Sequence, residues 1–380
     1  MTRIFLTSCH FSSILASIIT HKISKPGDKN YLLIDNFRKK ESMIAWINST
    51  KDVGNWVSVI DGSIRVDDTI NLQPSLRKKI TRNLKHLPVI STVYNVLLAK
   101  YQQKYTSEKT QEFKRLFEQH NLTECDELFL LTQTNLNEPL QKLFPKATVN
   151  YYEHGIGDYL YFEKNNFEGT FYGLFGNEFK KYLDKKGSKN NNPIFGDFTA
   201  NDLETAFGFY APIMEKQLSS FKNKKAIFFL MDSLETCNMP DNFWTDYLRV
   251  GLSHIENREE YILILKPHQN QSQNVIDITK TYLEESNFNY VLLDDPLLVS
   301  TAAEIIFMYL KEEIKFVIST YSSTVFYLSK FYPEKCQFIL LYDFVGSYMQ
   351  RAPKQYINHF TEIKPLIEGV FMSSSIKRMH

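Results

Sequence analysis

Cysteine is scarce in this 380-residue chain. The four residues, Cys9, Cys125, Cys237 and Cys336, lie far apart, with no CxxC pair and no Cys/His spacing suited to a metal. That excludes a disulfide framework and a zinc motif. Reduced, mostly buried cysteines acting as small apolar side chains are expected, as in a cytoplasmic protein. Charge imbalance is lacking too. Lys and Arg total 44 against 43 Asp and Glu, a net of +1, so no strong field points to nucleic acid. No stretch approaches the roughly 18 apolar residues of a membrane span. The first residues are apolar, but Ser8, His10, Ser12, Ser13 and Thr20 interrupt them, and no signal-peptide core forms. The protein is therefore expected to be neither secreted nor integral to a membrane. Internal repeats and coiled-coil heptads are also missing.

What is present is an ordinary globular composition, 43% hydrophobic and 23% charged, with enough length for two separate cores. Short apolar runs alternate with segments of helical period. Strands are expected at 4–7, 31–35, 56–60, 127–132 and 148–152, and again at 226–230, 261–265, 290–293, 316–319 and 338–341. Runs that are apolar throughout suit strands covered on both faces. Alternation of strand and helix implies parallel sheets with right-handed crossovers. The polar piece around Lys185–Pro193, a helical stretch to about Phe221 and the Lys222-Asn-Lys-Lys225 run separate two such series. The reading is α/β, with two Rossmann-like doubly wound domains, 1–221 and 222–380, facing a central cleft. The last helix is free to pack back on the first domain.

Four segments could carry chemistry. Tyr151-Tyr-Glu-His-Gly-Ile-Gly-Asp-Tyr159 directly follows a strand, so Glu153 could take a proton from an attacking hydroxyl, and Gly155 could let backbone approach a ligand. The plainer alternative is a turn with Glu153 solvated. His154 is then a supporting group or a surface histidine. Lys266-Pro-His268 ends another strand and could bring an imidazole to a phosphate. The alternative is a histidine satisfied at a helix start. Ser319-Thr-Tyr-Ser-Ser-Thr324 joins a strand to a helical run, a place for a phosphate or for ordinary capping worth about 1 kcal/mol. Glu304, among Ala, Ile and Phe, could accept from ribose hydroxyls, or simply favour the helix dipole. Asp294-Asp295-Pro296 reads as a cap or turn and not as a metal pair. Tyr151, Tyr152, Tyr159, Tyr161 and Phe162 could stack on sugars, although core or rim packing explains most of them.

The order of these segments resembles that of the bacterial sialyltransferases of the lipooligosaccharide and polysialyltransferase types. Glu153-His-Gly155 is similar to their acidic-Gly motif, Lys266-Pro-His268 to their His-Pro motif, and Ser322-Ser-Thr324 to the serine pair that holds the CMP phosphate. Ala303-Glu304 resembles their nucleotide-contacting acidic position, and Leu6-Thr-Ser8-Cys-His-Phe11 their first strand-to-helix loop. Two positions depart from the pattern. His154 stands where a second acidic residue is usual, leaving Glu153 as the base candidate, and Gln269 stands where proline normally follows the histidine.

The resemblance implies a GT-B glycosyltransferase that inverts configuration without a metal or other cofactor. Glu153 would be the base, and His268 would assist departure of CMP from CMP-sialic acid. Ser322, Ser323, Thr324, Glu304 and Lys266 would hold the nucleotide, with Ser8, His154 and Gly155 lining the acceptor side. The implied partners are a nucleotide-sugar donor and a glycan acceptor, either lipooligosaccharide or a polysialic capsular chain, and no nucleic acid. The basic segment from Arg77 to His86 could rest on the cytoplasmic face of the inner membrane, contact an acidic glycan, or be a solvated helix face. Two alternatives stay open: a GT-B transferase using another nucleotide sugar, and a non-catalytic glycan-binding protein of capsule assembly.

Overall fold

Fully apolar runs become fully covered strands. Ile4, Phe5 and Leu6 have no exposed surface, nor do Leu32, Leu33 and Ile34, and Phe5 stacks on Phe129 of a neighbouring strand at 4.2 Å. The computed structural model describes residues 1–35, 53–62, 88–132, 134–165, 167–188, 192–232, 234, 237–240 and 242–379. The basic segment 77–86 lies outside them.

The first sheet contains β1 (Thr2–Thr7), β2 (Lys29–Ile34), β3 (Trp56–Asp61), β4 (Glu127–Leu131), β5 (Thr148–Tyr152), β6 (Phe171–Tyr172) and β7 (Ile194–Phe195). They lie in the order β3-β2-β1-β4-β5-β6-β7, all parallel. The second sheet contains β8 (Ala226–Leu230), β9 (Ile262–Lys266), β10 (Tyr290–Leu292), β11 (Ile314–Ser319), β12 (Gln337–Leu340) and β13 (Ile376–Arg378). Its order is β10-β9-β8-β11-β12-β13, again all parallel. Both orders reverse direction after their first strand. In such sheets the loops at the carboxyl ends of the two strands flanking the reversal splay apart and leave room for a ligand. The reversals fall between β1 and β4 and between β8 and β11.

Of these strands, β6, β7 and β13 are not expected from the sequence. They have only two or three residues, too few for a periodic signal, and they exist because an already formed parallel sheet offers them an edge. Asp295 accepts from Leu297 N–H at 2.9 Å, the capping role expected of it. Among the described residues, no helix is long and apolar enough to cross a membrane.

Two elements tie the sheets together. The helix Lys354–Leu366 and the turn Ile367–Phe371 return to the first half. There, Glu362 pairs with Lys164 at 2.6 Å, and the Phe371 ring meets those of Tyr159 and Phe175, each at 5.1 Å. The helix Ser323–Phe331, which follows β11, presses Lys330 onto the first half. Its Nζ donates to Leu174 O and to Glu178 Oε2, both at 2.7 Å, and lies 4.7 Å from the Phe175 ring centre. Lys330 is mostly covered, so this pair is worth more than a surface ion pair. Replacing Lys330 by Met should cost about 1.5–3 kcal/mol, the range for hydrogen bonds to charged groups. Thermal unfolding checks this, and an unchanged melting temperature would contradict it.

Candidate active site at the junction of the two sheets

Glu153 follows the last residue of β5, Tyr152, and is completely buried. It is not the solvated turn carboxylate of the plainer expectation. Its Oε1 accepts from Leu174 N–H at 2.7 Å, and the Tyr159 hydroxyl stands beside it. Oε2 has no hydrogen-bond partner among the described residues. Burial pushes the carboxyl group up to about 8, and the Tyr159 and Leu174 contacts offset only part of that.

The residues after it form a tight corner. Asp158, fully buried in the first turn of the helix Gly157–Lys164, accepts from His154 N–H at 2.7 Å and from the Thr132 hydroxyl at the end of β4. His154 Nδ1 lies 2.6 Å from the same carboxylate. Burial alone would lower the His154 pKa, but the Asp158 charge and hydrogen bond reverse the sign and raise it. His154 is thus a supporting group tied to Asp158.

This corner touches the second half. Ile156 N–H donates to Ser323 Oγ at 3.1 Å, and a Cβ on Gly155 would come within 3.1 Å of the same oxygen. Glycine at 155 keeps that approach open. Ser323 opens the helix Ser323–Phe331, whose preceding residue, Ser322, makes no capping bond through its side chain to described residues. The ordinary explanation of a serine at that position is therefore not realised. Free amides at a helix start favour an anion.

One turn further along, Tyr327 is fully buried and lies parallel to the Phe11 ring at 4.9 Å. Burial raises its pKa far above the ordinary value, and Glu153, Glu304 and Asp158 add to the effect. It thus sits within electrostatic reach of carboxylates from both halves.

A second buried group adjoins it. Glu304 is held by the Thr324 side chain and the charge of Lys266, but burial outweighs both and raises its pKa. Lys266 Nζ donates to Val299 O at 2.7 Å and to Pro267 O at 3.2 Å. Burial lowers its pKa to about 7, against the pull of Glu304. Its positive charge is thus only partly present at neutral pH. His10, buried at the start of the first helix, accepts from Ala302 N–H at 3.2 Å and joins the halves here. Burial, with Lys266 nearby, lowers its pKa to about 3, which keeps the ring neutral. Ser8 is half-buried on the same β1 loop.

His268 is half-buried two residues beyond β9. Its Nδ1 accepts from Asn270 N–H at 3.2 Å, so the neutral ring carries its proton on Nε2, as a donor.

Among residues singled out in the sequence, the structure brings the 153–156 corner onto Ser323 and packs Glu304, Lys266 and Thr324 together. His268, Ser322 and Ser8 lie on the loops after β9, β11 and β1. Tyr151, Tyr152, Tyr159 and Phe162 are core, and Tyr161 alone of that set is exposed. Sequence reasoning missed Asp158, His10, Tyr327 and Asp232. Asp232 lies one residue beyond Met231 and the apolar run of β8 and carries the same strand-end signal that singled out His268.

A family model described as alpha-2,8-polysialyltransferase (POLYST) matches residues 64–340. No curated protein matches the chain in sequence. Among solved structures, a UDP-GlcNAc 2-epimerase from Neisseria meningitidis bound to UDP-GlcNAc is 12% identical, with TM-score 0.56 over 99% of this chain and 95% of that one. The UDP-GlcNAc 2-epimerase of Methanocaldococcus jannaschii is 13% identical, with TM-score 0.54 over 100% and 89%. An alpha/beta-galactoside alpha-2,3-sialyltransferase from Photobacterium phosphoreum is 12% identical over 99% and 98%, with TM-score 0.46. At these identities the epimerases speak for the shared GT-B architecture and nothing finer.

Burial of Glu153 makes stability depend on pH. Between about 4.5 and about 8 the unfolded chain has lost this proton while the folded chain keeps it, so rising pH favours unfolding. Glu153→Gln removes that dependence. Its melting temperature should gain on the parent steadily from pH 5 to pH 8 and no further above that, as read by thermal unfolding across pH. A constant difference would contradict the shift.

Proposed function

The chain belongs to the alpha-2,8-polysialyltransferase family, and from that membership we propose an inverting, metal-independent transfer of sialic acid from CMP-sialic acid to the end of a sialylated cell-surface glycan, with Glu153 as base. As a sialyltransferase, it needs a nucleotide-sugar donor and a glycan acceptor. One observation carries the assignment of parts. A buried carboxyl group from the first half, Glu153, sits on a corner that rests directly on a serine at a helix start in the second half.

Glu153 takes the proton from the acceptor hydroxyl as that oxygen attacks the anomeric carbon. The bond to the CMP phosphate oxygen breaks on the opposite face, and configuration inverts. The His268 Nε2 proton, the Ser322 hydroxyl and the amides at the start of the helix Ser323–Phe331 stabilise the charge growing on the phosphate. These donors come from the chain itself, so no metal is assigned a part. In this reading Glu304 and the two residues that interact with it, Thr324 and Lys266, hold the nucleotide.

Glu153 has no exposure in the present arrangement, yet a base must meet its substrate. The bond that holds its corner shut uses Ser323 Oγ. Catalysis therefore requires the corner to open at this bond before Glu153 can meet the acceptor. A donor phosphate accepts from the Ser323 O–H, whereas Ile156 N–H donates to the Oγ lone pairs, so the donor does not itself displace that contact.

Incubation with CMP-sialic acid and an oligosialic acceptor, read by mass, should show added sialic acid. Glu153→Ala and His268→Ala should each lower turnover by about 10²–10⁴. Transfer at wild-type rate by either variant would remove that residue from its role, and loss of transfer in EDTA would remove the metal-free scheme. With limiting substrate, the rate should rise with pH through about 8 as Glu153 loses its proton. Stabilisation by UDP or GDP in place of CMP would point to a different donor.

A further inference from the structure

The reversal in the second sheet lies between β8 and β11, and the residues there are Asp232 and the loop 319–323. Asp232 holds that loop. Its Oδ2 accepts from Ser319 Oγ at 2.9 Å, from Thr320 N–H at 2.8 Å and from the Thr320 hydroxyl. The Tyr247 hydroxyl, 3.0 Å from Leu230 O, also lies 3.4 Å from it. Ser319 Oγ in turn accepts from Ser322 N–H at 3.1 Å. One carboxylate oxygen thus fixes the backbone as far as the residue before the helix.

The hydroxyls of the run 319–324 are divided by this arrangement. Ser319 and Thr320 are committed to Asp232, Ser323 to the first-half corner, and Thr324 to Glu304. Ser322 is the one set at the helix start without a capping bond, and its position is fixed because its amide donates to Ser319 Oγ. Asp232 makes no ion pair among the described residues, and its partners are neutral donors, those of the loop and the Tyr247 hydroxyl. An acidic side chain at the edge of an anion site would ordinarily repel the ligand. Here the carboxyl group is turned inward: burial raises its pKa, and the contacts with Thr320, Ser319 and Tyr247 work against that rise.

We propose that Asp232 is a positioning residue for donor binding: it holds the loop 319–323 in the form that presents Ser322 and the helix start to the donor phosphate. The proposal rests on the donor reading above and adds a residue that never touches the reacting atoms. Its loss acts on donor affinity and leaves the acceptor site and the transfer step alone.

The test compares wild type, Asp232→Asn and Asp232→Ala by isothermal titration with CMP and by steady-state transfer, varying donor and acceptor separately. Asp232→Ala should weaken CMP and raise the donor KM by about 10-fold to 100-fold, the scale of one or two charge-assisted hydrogen bonds. Its kcat at saturating donor and its acceptor KM should stay within about 3-fold of wild type. Asn keeps an acceptor oxygen without the charge, so Asp232→Asn should fall between the two. A merely structural role would lower the active fraction without moving KM. If the Ala variant fails to fold, Asp232→Asn decides alone. A folded variant with wild-type CMP affinity, or one that loses kcat at an unchanged donor KM, overturns the proposal. Wild-type protein that neither binds CMP nor transfers sialic acid overturns the donor reading itself, and this proposal with it.

Discussion

One contact organises the junction: Ile156 N–H on Ser323 Oγ, made possible by the missing side chain at Gly155. It joins the loop after β5 to the start of the helix after β11 and seals a carboxyl group that has only one backbone donor and a tyrosine for company. A charged Glu153 in that position would be costly, because burial penalises the ion far more than a single amide can offset. The structure therefore stores a neutral acid where the chemistry needs a base. Relief requires the corner to open, with Ile156 N–H leaving Ser323 Oγ.

The two sheets explain why these groups can meet. Each is parallel and each reverses strand order after its first strand, so each collects its loops at one edge. In the first sheet that edge offers the loops after β1, β4 and β5, which supply His10, Thr132 and Glu153. In the second it offers the loops after β8, β9 and β11, which supply Asp232, His268 and Ser322. His10 and Lys330 then fasten one half to the other at separate points, through Ala302 and through Leu174 and Glu178. Most polar groups buried at the junction are answered within their own half, as Glu153, Asp158, Lys266 and Glu304 are, while His10, Ser323 and Lys330 are answered across it and tie the geometry to how the halves sit together.

Most strands were legible because a run such as Ala226–Leu230 or 262–265 is apolar at every position and is buried at every position. Phe171–Tyr172 and Ile194–Phe195 were not, since a two-residue strand has no period of its own. For the site, Glu153, His268 and the Ser322 run were legible as polar residues stranded at the end of apolar runs. The expectation of a solvated Glu153 as the plainer reading failed because burial came from Leu174 and Tyr159, which lie beyond the motif's strand and whose contact depends on tertiary packing. His10 and Tyr327 were illegible for the same reason. A histidine after a cysteine and a tyrosine in an apolar helix look like ordinary core until the other half arrives. Asp232 was within reach, because it follows β8 as His268 follows β9, and it went unread because the hydroxyls it binds lie some ninety residues later.

The central claim is that the bond from Ile156 N–H to Ser323 Oγ closes the corner over Glu153. Amide hydrogen exchange of wild type and Ser323→Ala measures this directly. Loss of the acceptor oxygen should speed exchange at Ile156 and the residues around it. Unchanged exchange there in the folded variant would contradict it.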